Sequence, residues 1–402
     1  MRRHDLVVIG AGSGSAVIDD SFAGLDVAIV EERWFGGTCP NAGCIPSKMY
    51  AYVAEVARTV GEAGRYDVDA EPGRVRRRAM RDRVFGRLDA EREEGRRGRL
   101  EADRVTVYEG RARFTGPREL RIDLADGAVD IGARQIVIAA GGRPVVPPPP
   151  VADSGLPHET SDTVMRIDAP PRRLAVLGGG CIAAELAEVF AAAGSSVVIV
   201  EKEERLLGPQ DETVAERFTE LARSRYDLRL GRELTAVGGR PGALRLTLDD
   251  ASTVEADMLL VAAGRVPNSD RPDLGRAGIA TRDDGRIVVD AYQRTTAEGV
   301  FALGDICTPV PLKHVANREA RVVAHNLRHP HDLASAYHRL IPAAVFTRPQ
   351  AATLIQPLVL AMTLGIDAAT LARSPYWIHP APTGRAAGTG AGEPRHRGHA
   401  DR

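Results

Sequence analysis

The sequence is short of cysteine and lysine and has no long hydrophobic run. Four cysteines in 402 residues are too few for a framework of structural disulfides. No uncharged stretch is long enough to cross a bilayer, and a net charge of −1 implies no general attraction to nucleic acid or to an anionic membrane. Because no signal segment is evident either, we expect a cytoplasmic protein that partners neither nucleic acid nor membrane.

Lysine makes up only three of the 53 basic residues, at Lys48, Lys202 and Lys313. Arginine is therefore the default cation of this chain. We expect each lysine to stand where a compact ammonium group or a shiftable pKa is needed and a guanidinium would not fit.

The length and composition indicate a globular protein of several domains. A chain of 402 residues exceeds what one hydrophobic core usually supports, so two or three domains are expected. Apolar residues make up 44% of the chain and charged residues 27%, which is ordinary for a protein with a packed core.

Two of the four cysteines lie close together, with four residues between Cys39 and Cys44. A bridge across so short a loop stabilises a fold little, because the entropy removed from the unfolded chain grows with loop length. The spacing therefore favours a reversible redox disulfide over a structural one. Cys181 and Cys307 are distant from this pair, and we expect both to be small buried apolar residues.

A dinucleotide fingerprint begins the chain. The apolar run 6–9 predicts a strand, the run 10–15 is a glycine-rich turn, and an alanine-containing stretch predicts a helix after it. Such glycines let the backbone approach a pyrophosphate, and a helix N-terminus offers it free amide groups. A second strand ends at Glu31, where a carboxylate can accept hydrogen bonds from a ribose. Ser15 takes the place of the third glycine.

The same pattern recurs later in the chain. A predicted strand over 174–177 leads into the glycine turn that begins at Gly178, and another strand ends at Glu201. Ala183 takes the third glycine position. We therefore expect the chain to bind two dinucleotides. A third element, 299–305, is a short apolar strand that ends in Gly304 and Asp305. Taken alone, it is explained as well by a plain strand and turn as by a functional motif.

From Asp5 to about Asn326 the chain resembles the flavin-dependent pyridine nucleotide–disulfide oxidoreductases, a class that contains glutathione reductase, lipoamide dehydrogenase and mycothione reductase. The resemblance implies an α/β fold with two nested Rossmann-like dinucleotide-binding domains, for FAD and NAD(P)H, and a truncated α/β dimerisation domain. It also implies that the first fingerprint holds the ADP part of FAD and the second holds NAD(P)H. In the family the Gly-Asp element binds the ribityl chain of the flavin.

The resemblance sets domain boundaries, with junctions at 139–144 and 262–268. We expect an FAD-binding domain in two parts, an NAD(P)-binding domain between them, a remnant of a dimerisation domain and a disordered tail. The FAD-binding domain spans residues 1–147 and 269–338, and the NAD(P)-binding domain spans 148–268. The remnant of the dimerisation domain spans 339–380, and the tail spans 381–402. The candidate cofactor-binding residues are Gly10, Gly12, Gly14, Glu31, Gly37, Thr38, Lys48, Gly141, Gly178, Gly180, Glu201, Gly264, Gly304 and Asp305.

The segment after Cys44 predicts a helix, because apolar residues recur at helical spacing from Met49 to Val60 and Pro46 suits a first turn. Cys44 then lies at a helix N-terminus, where the helix dipole favours a thiolate. By resemblance, Cys44 lies next to the flavin and Cys39 is the thiol that attacks the substrate disulfide.

Three further catalytic residues are implied by the resemblance. The family pairs Lys48 with Glu185 beside the reactive edge of the flavin, and a surface ion pair is the alternative. His379 matches the general acid–base residue of the family, which serves the Cys39 of a neighbouring subunit. A solvent-exposed histidine is the alternative for His379.

The substrate and the nicotinamide cofactor rest on different signals. Two stretches, 160–166 and 312–320, narrow the resemblance to the mycothione reductases, so mycothiol disulfide is the expected substrate by resemblance alone. The alternatives are a lipoamide dehydrogenase-like enzyme and an FAD- and NAD(P)H-binding flavoprotein without disulfide turnover. Glu201 favours NADH, whereas Lys202 and Arg205 suit a 2′-phosphate, so the cofactor stays NAD(P)H.

The chain departs from the family after the run 342–350, which opens the dimerisation domain. The run 351–358 resembles a segment from much later in that domain, so most of the interface sheet is expected to be missing. The glutamate that orients the catalytic histidine in the family is replaced by Gly384. We interpret this as a deletion with a frame change, or an error in the gene model. The homodimer of the family is then doubtful here, and we expect disulfide turnover to be weak or absent.

Overall fold

The computed structural model describes residues 1–71, 73–336, 338 and 341–353. His379, Gly384 and the tail 381–402 lie outside these residues. Six α-helices are described: α1 (Thr38–Ala42), α2 (Cys44–Gly61), α3 (Arg77–Leu100), α4 (Cys181–Ala192), α5 (Glu212–Arg223) and α6 (Lys313–Arg328). In the described part of the chain, no helix combines the length and the hydropathy that a membrane span requires.

Eighteen strands accompany these helices in the described residues. They are β1 (Arg2–Ile9), β2 (Val27–Glu31), β3 (Val105–Gly116), β4 (Glu119–Leu124), β5 (Gly127–Ile138), β6 (Gly142–Pro144), β7 (Glu159–Thr160), β8 (Arg173–Leu177), β9 (Ser196–Glu201), β10 (Asp227–Leu230), β11 (Leu234–Arg240), β12 (Ala243–Leu248), β13 (Thr253–Ala256), β14 (Met258–Val261), β15 (Arg265–Pro267), β16 (Val300–Ala302), β17 (Ala343–Val345) and β18 (Ala351–Thr353).

The first sheet is built around β1. Strands β3, β2, β1, β5 and β16 run parallel, with Val7 opposite Ala28 and Ile136. The outer halves of β3 and β5 continue into antiparallel pairing with β4. Residues 6–8 of β1 are fully buried, as is typical of a central strand of a parallel sheet covered on both faces. The predicted strand–turn–strand arrangement of the first fingerprint is thus confirmed.

The second sheet repeats the arrangement. Five parallel strands lie in the order β10, β9, β8, β14, β7, and β11, β12 and β13 form an antiparallel sheet beside them. The short strands β6 and β15 pair with each other, which joins the segments that lead from one parallel sheet to the other. The mixed α/β architecture with parallel sheets confirms the predicted fold class.

The helix predicted after the first glycine turn is absent. Two short 3-10 helices, Ser13–Val17 and Asp20–Phe22, take its place. The Ser15 hydroxyl donates to the carbonyl of Ala11 at 3.0 Å, and the Asp19 carboxylate accepts from Ser21 N at 2.9 Å. Short polar side chains that bond to nearby backbone groups compete with helix formation, which explains the wrong prediction. The second glycine turn leads into α4, as predicted.

Packing between α2 and α4 holds the cysteine segment in place. Tyr50 of α2 and Phe190 of α4 are both buried in one apolar cluster. The Tyr50 hydroxyl donates to the carbonyl of Met165 at 2.7 Å, and the guanidinium of Arg77 lies 4.6 Å from the Tyr50 ring centroid. The apolar face of α2 is therefore fixed, so the residues at its N-terminus have a defined position.

The hairpin of β17 and β18 packs against the same helices. Val345 is buried in the cluster that α2 and α4 share, and Arg348 bonds to Glu62 at the end of α2 with a length of 2.5 Å. The described part of the predicted dimerisation domain, up to residue 353, thus packs against the rest of the protein. The predicted loss of the rest of that domain concerns residues outside the described ranges.

Candidate functional site

One large cleft gathers most of the predicted site residues. Its volume is about 1110 Å³, and it is lined by both glycine turns, the N-terminus of α2, the junction segments and the N-terminus of α6. All of the predicted cofactor-binding residues except Gly14 line it, as do Cys39, Cys44 and Glu185. A Cβ on Gly14 would lie 2.8 Å from Ala139 Cβ, so this glycine permits close packing beneath the turn. The cleft connects the two fingerprints with the cysteine pair.

The glycines of the two turns leave no room for side chains. Gly10 and Gly178 have φ values of 103° and 113°, and a Cβ on either would collide with the backbone carbonyl of Ala139 or Ala262, respectively. A Cβ on Gly37, beside the first cysteine, would lie 2.7 Å from Gly12 Cα. The cysteine segment therefore packs directly against the first glycine turn. These cradles fit the close approach of a dinucleotide backbone.

Each glycine turn is held by the carboxylate that the sequence places at the end of the next strand. Glu31 accepts from Ala11 N at 2.7 Å and from Arg33 N at 2.8 Å. Glu201 accepts from Gly179 N in the same way, and from Glu203 N at 3.0 Å. Sequence reasoning assigned these carboxylates to a ribose, and missed that they also shape the turn.

The two cysteines lie at the ends of consecutive helices. Cys39 is in α1 and Cys44 begins α2, as predicted, with Gly43 between the helices. Both are free thiols in the structure. The hydrogen bond that Cys44 receives from the Cys39 thiol, together with the Lys48 ammonium, lowers the pKa of Cys44 to about 7. The same hydrogen bond and burial raise the pKa of Cys39. Cys44 is therefore the thiolate of the reduced pair.

Lys48 and Glu185 form the predicted ion pair. The distance from Lys48 Nζ to Glu185 Oε2 is 2.6 Å, and the two side chains are 19% and 8% exposed. Phe346 N donates to Glu185 Oε1 at 3.1 Å, and the Phe346 ring centroid lies 4.9 Å from Lys48 Nζ. The pair lies in the wall of the cleft, so the alternative of a surface pair is wrong.

The thiolate of Cys44 gives a direct pH prediction. In the reduced protein the ultraviolet absorbance of the thiolate should rise with pH around a midpoint of about 7. Replacing Lys48 with methionine removes a nearby positive charge, so the midpoint should move upward. The measurement is a pH titration of thiolate absorbance, with Cys44→Ser as the blank. An unchanged midpoint in Lys48→Met would contradict this account of the pKa.

The sequence matches the family described as pyridine nucleotide-disulphide oxidoreductase over residues 4–320. This chain is a member of that family. It is 41% identical to mycothione reductase of Mycobacterium tuberculosis over 452 aligned positions, which cover 95% of this chain and 97% of the relative. It is 36% identical to glutathione reductase of Burkholderia cepacia, covering 87% of this chain and 77% of the relative.

Solved structures agree with the family. The HOCl-induced flavoprotein disulfide reductase RclA of Escherichia coli, solved as a Cu(II) complex, superposes with a TM-score of 0.78 at 26% identity. That match covers 90% of this chain and 80% of the other. Among the sequence relatives, dihydrolipoyl dehydrogenase of Thermus scotoductus is 32% identical, and the match covers 87% of this chain and 76% of the relative. The chain is thus a flavin-dependent disulfide oxidoreductase, and the family uses a pyridine nucleotide.

The alignment with mycothione reductase leaves part of the relative unmatched by this chain. Since 95% of a 402-residue chain is about 382 residues, about 70 of the 452 aligned positions have no counterpart in this chain. The alignment covers 97% of the relative, so these positions lie inside it. About 70 residues are enough for several strands and helices, and the prediction from the sequence is that the missing part follows residue 350.

The other two cysteines differ from each other. Cys307 is 4% exposed, which confirms its prediction as a buried apolar residue. Cys181 is exposed, so the same prediction was wrong for it. It is the first residue of α4, directly after the second glycine turn, and lines the open cleft instead of facing the core.

Sequence reasoning also missed residues that surround the site. Glu319 of α6 is fully buried and accepts from Gly304 N at 2.6 Å, and His338 Nε2 lies 2.7 Å from its other oxygen. Burial raises the pKa of the neighbouring Asp305. No local pattern distinguishes Glu319 from the other acidic residues on helices, because its partner Gly304 lies outside the helix, in the turn that follows β16.

Proposed function

We propose that this chain reduces a small-molecule disulfide with electrons from NAD(P)H, by way of FAD and a redox disulfide between Cys39 and Cys44. The observation that carries the proposal is the contact between the two thiols at the N-terminus of α2, in a cleft that both glycine turns share. Mycothiol disulfide is the substrate that the similarity to mycothione reductase favours. A lipoamide dehydrogenase-like activity is the second candidate, favoured by Glu201, which suits NADH.

The first fingerprint and its neighbours would hold FAD. The proposed ligands are Gly10, Gly12, Glu31, Gly37, Thr38, Lys48, Gly141, Gly304 and Asp305, with Gly14 packed beneath. When bound there, FAD supplies two-electron transfer between a nicotinamide and the sulfur pair. Gly178, Gly180, Glu201 and Gly264 would hold NAD(P)H across the cleft. The two parallel sheets, joined by the pairing of β6 with β15, support the proposed boundaries at 147 and 268.

The reduced cysteine pair performs the disulfide exchange. Cys39 gives its proton to the proposed acid–base residue, His379, and attacks one sulfur of the substrate, forming a mixed disulfide and releasing the first product thiolate. The Cys44 thiolate then attacks Cys39, which releases the second product thiolate and restores the Cys39–Cys44 disulfide. Lys48 stabilises the negative charge on Cys44 until this thiolate attacks Cys39. The two electrons lost by the dithiol reduce the substrate, so the balance is complete.

The product thiolates need protons, and the proposed acid is His379. In the family it reaches Cys39 from a neighbouring subunit, held by a glutamate for which this chain has Gly384. A histidine must lie within hydrogen-bond reach to protonate a leaving group. About 70 aligned positions of mycothione reductase have no counterpart in this chain, and we expect the region that places the histidine to be among them. We therefore expect pyridine nucleotide to reduce the protein, and turnover of the disulfide to be weak.

The test is anaerobic reduction of the purified, FAD-containing protein by NADH or NADPH, followed by assays with mycothiol disulfide, lipoamide and glutathione disulfide. The expected result is reduction of the protein, with a low rate that is highest for mycothiol disulfide. A higher rate with lipoamide would favour the second candidate. Failure to bind FAD would contradict the proposal. Gel filtration tests the expected loss of the stable dimer.

The contacts of Glu201 favour NADH over NADPH. Two backbone amides fix its carboxylate at the end of β9, where it would repel a 2′-phosphate and accept from a 2′-hydroxyl. Arg205, the nearest arginine in sequence, is already paired with Glu212 at 2.7 Å and with Glu216 at 3.5 Å. The positive charge that a phosphate requires is therefore partly neutralised.

We expect Glu201→Gln to tighten NADPH binding by about tenfold, because the repulsive charge is lost while an oxygen remains to hold the turn. NADH binding should change little. The measurement is quenching of nicotinamide fluorescence to give both dissociation constants, with the exposed Glu255→Gln as the control for charge. Equal changes for the two nucleotides would show that Glu201 does not read the 2′ position.

A further inference from the structure

Lys313, one of the three lysines, contacts the first glycine turn. It is the first residue of α6, and its Nζ donates to Ser13 Oγ at 2.9 Å. The Ser13 hydroxyl donates in turn to Asn317 Oδ1 at 3.2 Å. Lys313 and Asn317 lie one helical turn apart, so they project from the same face of α6. Two side chains of this helix therefore converge on the serine of the turn that would approach the pyrophosphate of FAD.

The charge of Lys313 is not neutralised by the protein. Within residues 1–71, 73–336, 338 and 341–353, no carboxylate oxygen lies within 4.0 Å of its Nζ, whereas Lys48 is bound by both oxygens of Glu185. An ammonium has three N–H donors, and the Ser13 hydroxyl accepts only one of them. Lys313 is half-buried and lines the cleft. A cation with unused donors in a ligand cleft favours an anionic ligand.

The first glycine turn also lacks the usual source of positive potential. The second turn leads into α4, a helix of 12 residues, whose N-terminus presents free amides and a partial positive charge of about half a unit. The first turn leads into a 3-10 helix of five residues. So short a helix contributes little dipole field. The turn that should hold the pyrophosphate therefore needs a positive charge from elsewhere.

We propose that Lys313 binds the pyrophosphate of FAD and supplies the positive charge that a helix supplies at the second glycine turn. Ser13 holds the ammonium against the turn, and Asn317 orients the Ser13 hydroxyl so that its oxygen accepts from Lys313. This inference rests on the proposed function, since it requires FAD at the first fingerprint. It also explains why this position keeps a lysine in a chain where arginine is the default cation.

A different role for Lys313 lies close by, at the cysteine pair. Hydrogen bonding with Cys44 and burial raise the pKa of Cys39, and burial raises the pKa of Asp305, while the Lys313 ammonium opposes both shifts. Assistance to the Cys39 thiol alone would make no difference to how the protein distinguishes flavins by their phosphates. The two roles are therefore separable by comparing flavins with and without the pyrophosphate.

The test measures binding of FAD and of riboflavin, which has no phosphate, to the flavin-free protein by quenching of flavin fluorescence. Lys313→Met should weaken FAD binding by about tenfold or more and leave riboflavin binding unchanged, so the preference for FAD falls by the same factor. Lys313→Arg should restore part of it. Arg240→Met, an exposed residue of β11 away from the cleft, is the control for loss of one positive charge.

The outcomes separate the hypotheses. Equal weakening of FAD and riboflavin, or no change in either, would overturn the role at the pyrophosphate. Unchanged FAD binding with slower alkylation of Cys39 in reduced Lys313→Met would assign the lysine to the thiol instead. Failure of the unmodified protein to bind FAD would overturn the proposed function itself. Urea unfolding of the flavin-free Lys313→Met protein is the control for the fold, and an unchanged midpoint shows that the fold is intact. If the midpoint is lowered, flavin binding is measured with Lys313→Gln instead.

Discussion

Serine at position 39 or 44 should lower disulfide turnover by at least ~10³-fold, because covalent exchange needs both sulfur atoms. Anaerobic titration with a pyridine nucleotide should also show that each variant takes up only the electrons that the flavin accepts. The share taken by the Cys39–Cys44 disulfide should be lost. The measurement combines a reductive titration with an assay of the disulfide substrate.

Serine and alanine at position 39 should have different effects on the pKa of Cys44. Cys39→Ser keeps a hydroxyl that can donate to Cys44, so the low pKa of Cys44 should persist, whereas Cys39→Ala should raise it. Cys307→Ala is the control, because this cysteine is buried and lies outside the lining of the main cleft. If Cys39→Ser and Cys44→Ser retained the full electron uptake of the unmodified protein, the assignment of the redox disulfide would be wrong.

Gly10→Ala should strongly destabilise the fold. The residue has a φ of 103°, a conformation that strains an L-residue, and the new Cβ would collide with the carbonyl of Ala139. Since both groups belong to backbone between buried strands, neither can move without disturbing the parallel sheet. We expect the free energy of unfolding to fall by about 3 kcal/mol or more, with loss of FAD binding.

Gly24→Ala is the matched control for this variant. It lies in an exposed turn, and its Cβ would have no atom within 4 Å. Its free energy of unfolding should change by less than about 0.5 kcal/mol. Urea denaturation of the flavin-free proteins gives both values. A Gly10→Ala protein as stable as Gly24→Ala would show that the turn relaxes, and the account of its geometry would fail.

Local sequence patterns were sufficient for much of the site. Apolar spacing and Pro46 predicted a helix that begins at Cys44, and the structure has α2 begin there. The two glycine turns each follow a buried strand, because continuous apolar runs and glycine pairs leave few alternatives. The pairing of Lys48 with Glu185 came from family resemblance, since 137 residues separate the two in sequence.

Other features could not be predicted, because they depend on local hydrogen bonds that compete with helix formation or on contacts between residues distant in sequence. The helix after the first turn is absent because Ser15 and Asp19 bond to nearby backbone, and such bonds are weak signals in a sequence. The contact between Lys313 and Ser13 joins residues 300 positions apart, and only the scarcity of lysine pointed to it. The prediction that Cys181 is buried was wrong, because the position of this residue at the rim of the cleft depends on the tertiary arrangement alone.

The close packing of Gly12 against Gly37 limits how this enzyme can change. A backbone hydrogen bond from Gly36 N to the carbonyl of Ala11, at 3.0 Å, joins the cysteine segment to the first glycine turn beside this contact, and the two glycines let the backbones come so close. A larger residue at either position would push the first glycine turn and the cysteine segment apart. Residues 12 and 37 are therefore constrained as a pair, because a side chain at either position would fill the space that lets the other backbone approach.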